Sequence, residues 1–161
     1  MSKDISKIFN KNELIKHLID LKQNNITIGF TNGCFDLLHQ GHLSLLSKSR
    51  QKCDFLIVAL NSDSSVKLLK GNDRPIENEL IRLQKLSNVN DVDALIVFSE
   101  KTPYNIIKKL LPHILFKGAD YKNKVVVGSE CVTKNGGKIE FIDILNGYST
   151  TNIIMNSSIQ R

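Results

Sequence analysis

Six consecutive apolar residues, Phe55-Leu56-Ile57-Val58-Ala59-Leu60, break the alternation that a half-exposed strand obeys. A strand written this way buries both faces, and its usual setting is a parallel sheet covered by helices on each side. The surrounding segments agree. Ile26–Thr31, Ala94–Phe98, Ile114–Phe116 and Ile139–Ile142 are further short strand-like runs. Asn12–Lys22 places Leu14, Ile15, Leu18, Ile19 and Leu21 at helical spacing. Helices are also expected over Gly41–Gln51, from the Asn61-Ser62-Asp63 cap cluster to Leu69, and over Glu77–Ser87. Another starts with Pro103 in its first turn and ends near Leu111-Pro112, and a last one runs from Ser149-Thr150-Thr151 toward Met155. Lys70–Pro75 reads as a loop and Asn135-Gly136-Gly137 as a turn. Strands alternating with helices predict a doubly wound α/β sheet with right-handed crossovers. Functional groups should then gather at the carboxyl ends of the strands.

The chain of 161 residues suits one domain, with a first helix near residues 12–23 and a core near 26–154. No repeat, linker or low-complexity segment divides it. No apolar run approaches the ~20 residues that span a bilayer, and the polar start Met1-Ser2-Lys3-Asp4 is not a secretory signal. Cys34, Cys53 and Cys131 are odd in number and widely spaced, as expected of reduced thiols in a cytoplasmic protein. The formal net charge is +6, but the lysines are scattered, tryptophan is absent, and no aromatic–basic interleaving points to nucleic acid. A basic balance also suits small anionic substrates such as nucleotides and sugar phosphates.

The chemistry concentrates in Phe30-Thr31-Asn32-Gly33-Cys34-Phe35-Asp36-Leu37-Leu38-His39-Gln40-Gly41-His42. Here an apolar strand meets a turn bearing an aspartate, two glycines and two histidines, and a helix follows at once. His39 and His42 are spaced to face the same way across about one helical turn. Gly41 lets a phosphate approach the backbone, and the helix N-terminus adds partial positive charge. The arrangement suits a nucleoside triphosphate. The plainer alternative has one histidine capping the helix and the other packing. Cys34, His39 and His42 are also zinc ligand types, yet no CxxC accompanies them. A dinucleotide oxidoreductase is disfavoured, since no GxGxxG follows a strand.

Thr31 to His42 resembles the signature of the HIGH-motif nucleotidylyltransferases, a Rossmann-like family of cytidylyltransferases and small adenylyltransferases. The likeness extends through Asn61-Ser62-Asp63, Lys67 to Gly71, Arg74-Pro75, Lys117-Gly118-Ala119-Asp120-Tyr121, Gly136-Gly137 and Gly147-Tyr148-Ser149-Thr150-Thr151-Asn152. Together these resemble the adenylyltransferase half of the bifunctional heptose-phosphate enzymes of lipopolysaccharide precursor synthesis. Ala119 stands where that group usually shows a second glycine.

The resemblance implies transfer of AMP from ATP to a sugar 1-phosphate, with His39 and His42 steadying charge and Lys70 acting with them. It implies nucleotide contacts from Thr31, Gly33, Phe35, Gly41, His42, Lys117 and Gly118, a ribose contact from Asp120, and triphosphate contacts from Ser149, Thr150 and Thr151. Phe35 also reads as a structural aromatic, and Ser149 as a plain helix cap. Asp36, Asn61, Lys67 and Arg74 fall to the acceptor. As ammonium and guanidinium groups on a loop, Lys67, Lys70 and Arg74 suit phosphates, while a solvated basic surface is the simpler account of the lysines. Arg82 reads as a helix-surface residue. Magnesium is expected with the triphosphate, although no carboxylate cluster is spaced to hold it alone. A homodimer and a separate upstream sugar kinase are expected partners. Other phosphorylated acceptors, or a regulatory module that binds nucleotide without turnover, are the alternatives.

Overall fold

The computed structural model describes residues 5–159. The polar start Met1–Asp4 lies outside them. Five strands form one parallel sheet in the order β3-β2-β1-β4-β5: β1 Ile28–Gly33, β2 Phe55–Asn61, β3 Ala94–Phe98, β4 Ile114–Gly118 and β5 Lys138–Ile142. The helices are α1 Lys11–Gln23, α2 Gln40–Arg50, α3 Asp63–Lys70, α4 Glu79–Ser87, α5 Tyr104–Leu110, α6 Ser129–Lys134 and α7 Thr150–Ile159.

The unbroken apolar run of β2 is explained by two separate cores. Leu56, Val58 and Leu60 pack with Leu46 of α2 and Leu83 and Leu86 of α4. Ile57 and Ala59 point the other way, into a cluster with Leu14 and Leu18 of α1, Ile106, Ile107 and Leu110 of α5, and Val132 of α6. Successive strand side chains alternate faces, so a sheet sandwiched between helices needs an apolar residue at every position. The doubly wound reading therefore holds.

The order reverses at β1, which pairs with β2 from Ile28↔Phe55 to Gly33↔Leu60 but with β4 only at Gly29↔Ile114 and Phe30↔Leu115. Beyond Phe30, β1 and β4 part, and a crevice opens at their carboxyl ends. Gly29 permits the close approach below it: a Cβ there would lie 2.5 Å from Phe116 Cε2 and 2.7 Å from Cys53 Sγ.

Element boundaries differ from the sequence reading in particular places. β1 begins at Ile28, because the Thr27 amide is taken by Asp54 Oδ2 at 2.8 Å. The fourth helix starts at Glu79 rather than Glu77, capped by Asn78, since the Glu77 amide bonds to Asp36 Oδ1. The short α6 was not expected; it buries only Val132 and so shows no apolar stripe. The last helix continues past Met155 to Ile159.

Candidate active site

The crevice beyond β1 and β4 is a cleft of about 660 Å³, within the usual range for small-molecule sites. Its lining comes from the β1–α2 turn, Asn61 at the end of β2, Leu69 and Lys70 of α3, the Lys101–Pro103 loop, the end of β4, and the start of α7.

The β1–α2 turn is held in an unusual backbone shape. Phe35 and Leu37 take φ values of 46° and 55°, in the left-handed region that non-glycine residues rarely adopt. Asp36 between them is buried and overdetermines that shape. Its carboxylate accepts from Arg74 Nε and the Ile76 amide at 2.8 Å, and from the Glu77 amide at 3.0 Å. Burial alone would raise its pKa; the Glu77 and Ile76 amides and the Arg74 guanidinium overcome this and hold it below the usual carboxylate value.

His39 and His42 form a reciprocal cap at the start of α2. His39 Nδ1 accepts from the His42 amide and His42 Nδ1 from the His39 amide, both at 3.3 Å, and the rings stack with centroids 3.7 Å apart. The capping alternative is therefore part of the answer, and it has a chemical consequence. With Nδ1 accepting, a neutral imidazole carries its proton on Nε2, so each ring keeps a donor free for an anion. Burial lowers His42 to about 4, assisted by the charges of His39 and Lys70 and opposed by Asp36. Burial also lowers His39. The pair is thus neutral at neutral pH. Gly41 is required by packing as well as by access: a Cβ there would sit 2.9 Å from His39 Cε1 and 3.1 Å from Tyr148 Cβ.

At the end of β4, Lys117 Nζ donates to Asn32 Oδ1 at 2.6 Å and lies 5.2 Å from the Tyr121 ring centroid. Burial lowers its pKa to about 8, with Asp120 opposing. Gly118 leaves room for Asp120, whose Oδ1 would lie 2.6 Å from an added Cβ. Ser149 Oγ accepts from the Asn152 amide at 3.1 Å, so that hydroxyl caps α7. Thr150 Oγ1 donates to the Asp36 carbonyl at 2.7 Å, tying α7 to the β1–α2 turn.

The cleft lining thus brings together Thr31, Gly33, Phe35, Asp36, His39, Gly41, His42, Asn61 and Lys70 with Lys117, Gly118, Asp120, Ser149, Thr150 and Thr151. Lys67 and Arg74 are not on it. Several of these side chains are already engaged within the fold. Phe35 is largely buried beneath His42, with ring centroids 5.2 Å apart, while its edge lines the cleft. Asp36 and Arg74 bind each other rather than facing the cleft as free groups. Asn61 donates to Ser65 Oγ at 2.9 Å. Arg82, read as a surface residue, is fully buried. Its guanidinium donates to the carbonyls of Glu77, Cys34 and Asn61 and to Asp63 Oδ1, joining the ends of β1 and β2.

Sequence reasoning missed Lys101 and Thr102, which line the cleft from the loop after β3. Their position at a strand's carboxyl end was the available signal. Among the described residues, no group of three or more His, Cys, Asp or Glu could hold a metal ion. Burial raises the Cys34 thiol, with Asp36 acting the same way against Lys70, Arg82 and Arg74, and this favours the protonated form over a thiolate ligand.

A parallel sheet with its reversal at β1, and a histidine pair capping the crossover helix beside a cleft with Lys70 and Lys117, make a doubly wound domain with a basic cleft at its switch point. Residues 30–156 match the family described as cytidylyltransferase-like, and the chain belongs to that family. Over 142 residues it is 49% identical to bifunctional protein HldE from Nitrobacter winogradskyi, covering 88% of this chain and 29% of that protein. The chain therefore spans about three-tenths of the length of the curated relatives it matches. The crystal structure of the lipopolysaccharide core biosynthesis protein from Thermoplasma volcanium aligns with a TM-score of 0.60 at 27% identity, over 77% of this chain and 99% of that one. Pantoate-beta-alanine ligase from Francisella tularensis, solved with beta-gamma ATP and beta-alanine, shares the fold. Its TM-score is 0.62 at 21% identity, over 94% of this chain and 77% of that one.

Proposed function

We propose that this domain transfers AMP from ATP to a sugar 1-phosphate, D-glycero-β-D-manno-heptose 1-phosphate being the acceptor the motifs favour, and releases pyrophosphate. The observation that carries the reading is the histidine pair, whose reciprocal caps leave both Nε2 positions as donors on the cleft lining. An acceptor phosphate oxygen attacks the α-phosphorus in line. The new P–O bond forms as the bond to the β-phosphate oxygen breaks, and the electron pair leaves with pyrophosphate. The acceptor is already an anion, so no protein nucleophile or base is needed. Catalysis is positioning plus charge neutralisation.

His39, His42 and Lys70 act on the phosphates as charge develops. Thr31, Gly33, Gly41, Lys117 and Gly118 line the nucleotide's place, Asp120 takes a ribose hydroxyl, and the Ser149–Thr151 segment borders the triphosphate. Asn61 lies on the acceptor side. Arg74, off the cleft lining, serves the acceptor side only through its ion pair with Asp36. Asp36 acts on the acceptor only by holding that loop, and Lys67, exposed and off the cleft lining, has the weakest case. Magnesium bound to the triphosphate would offset its charge and polarise the α-phosphate. No cage of side chains awaits it among the described residues, which fits a cation carried by the nucleotide's own oxygens.

A cytoplasmic setting, a homodimer and a separate upstream sugar kinase are the expected surroundings of this reaction. None of the helices among the described residues is long and apolar enough to cross a membrane.

Pyrophosphate release should be measured with ATP, CTP and GTP against a panel of sugar and polyol phosphates. ATP with the heptose 1-phosphate is expected to be fastest. Release with none of the pairs would sink the enzymatic reading in favour of a nucleotide-binding regulator. His42→Ala should lower kcat by about 10²–10³ while changing ATP affinity far less, as befits a contact that strengthens in the transition state. Loss of affinity at unchanged kcat would remove His42 from the chemistry.

A further inference from the structure

The β1–β4 ladder stops at Phe30↔Leu115, yet its register continued by two residues sets Asn32 opposite Lys117. There a side-chain bond of 2.6 Å replaces the missing backbone pair, spanning the strands where they fork. Among the described residues this is the single hydrogen bond of the Lys117 ammonium. Two of its three donors therefore remain for something in the cleft. The residue that holds it is an amide rather than a carboxylate. An aspartate at this position would neutralise the lysine; an asparagine aims it and leaves its charge unspent.

We propose that Asn32 is a positioning residue, which holds the Lys117 ammonium at the β1–β4 fork so that it meets an anionic oxygen of the bound nucleotide. This rests on the nucleotide reading of the cleft. Groups of both signs surround the ammonium. Asp120 follows it in the chain and favours its charged form. Tyr121 lies beneath it, with Lys124 Nζ 5.0 Å from the same ring centroid. His39, His42, Tyr148, Lys70, Lys101 and Asp36 line the same cleft from the other elements; the two lysines add positive charge, the neutral histidines add N–H donors, and the Asp36 carboxylate is already paired with Arg74. Burial lowers Lys117 to about 8, so an ammonium with one neutral partner gives up its proton within a measurable range.

The test combines two titrations on the intact protein. NMR of the lysine side chains without ligand reads the Lys117 ionisation directly, and calorimetry reads ATP affinity against pH. ATP binding by the unmutated protein should weaken above about pH 8. Lys117→Arg, which keeps its charge, should bind ATP without that alkaline loss. Asn32→Asp, nearly isosteric and so safe for folding, should move the Lys117 titration and the alkaline loss upward by about one unit or more. It should also weaken ATP binding about tenfold at pH 7, as the new carboxylate competes for the ammonium. Asn32→Ala should move both titrations downward. A purely structural asparagine would lose stability in Asn32→Ala without moving either titration. ATP binding whose alkaline limb ignores Asn32→Asp, or persists in Lys117→Arg, overturns the inference alone. A protein that binds no ATP at any pH overturns the nucleotide reading and this inference with it.

Discussion

Arg82 donates to four groups from four places in the chain, and none of its surface reaches water. Removing it leaves three carbonyls and a carboxylate short of a donor at the end of the sheet. Arg82→Met should therefore destabilise the fold by about 3 kcal/mol, read from urea unfolding. Asp63→Ala should cost less, because the three carbonyls still engage the guanidinium and Asp63 is 40% exposed. Equal losses would show that the ion pair, not the carbonyl set, dominates. Nothing local announced this. A single arginine beside Leu83 and Leu86 reads as the wet edge of an amphipathic helix, and its partners lie up to 48 residues away. Asp36 was legible as a member of the turn for the opposite reason, since its neighbours in sequence carried the signal. What it holds, Arg74 to Glu77, was not legible, because that contact forms only when the loop closes over β1.

At the scale of elements, α7 joins the site through one buried hydroxyl, Thr150 Oγ1 on the Asp36 carbonyl. Thr150→Val keeps the shape and removes the donor, costing about 1–2 kcal/mol. Hydrogen exchange of α7 amides should then speed up by roughly 5–30-fold while amides of β1 and β2 keep their protection. Uniform acceleration through the molecule would show that α7 does not open by itself. The strands and the longer helices were readable because apolar spacing reports burial directly. The short α6, with one buried residue, had no periodicity to read. The start of α4 was misplaced by two residues because a distant carboxylate captured the amide that a helix would have used.

Across the whole molecule, the histidines set an acid limit. His39, His42 and His113 are all held below the ordinary histidine value, chiefly by burial, and His113 Nδ1 also accepts the Ile28 amide at 2.9 Å. A lowered histidine binds its proton more readily in the unfolded chain. Stability is thus complete above about pH 6.5 and falls as pH drops toward each folded value, which for His42 is about 4. That residue alone accounts for a loss of about 3 kcal/mol over the interval. Urea midpoints measured from pH 7 to pH 4 should show the decline, and His42→Gln should flatten it. An unchanged slope in the variant would place the acid sensitivity elsewhere. Below about pH 4, loss of the Asp36 carboxylate adds to it, because that group stabilises the fold only while ionised.

The chain has no tryptophan and three tyrosines, of which Tyr121 and Tyr148 line the cleft. Tyr148 stacks on His39 with centroids 6.4 Å apart, and Tyr121 lies under Lys117. The protein's own ultraviolet emission therefore arises largely from the walls of the site. A ligand settling between them should change that emission directly, so occupancy can be followed without a dye, an isotope or a coupled assay.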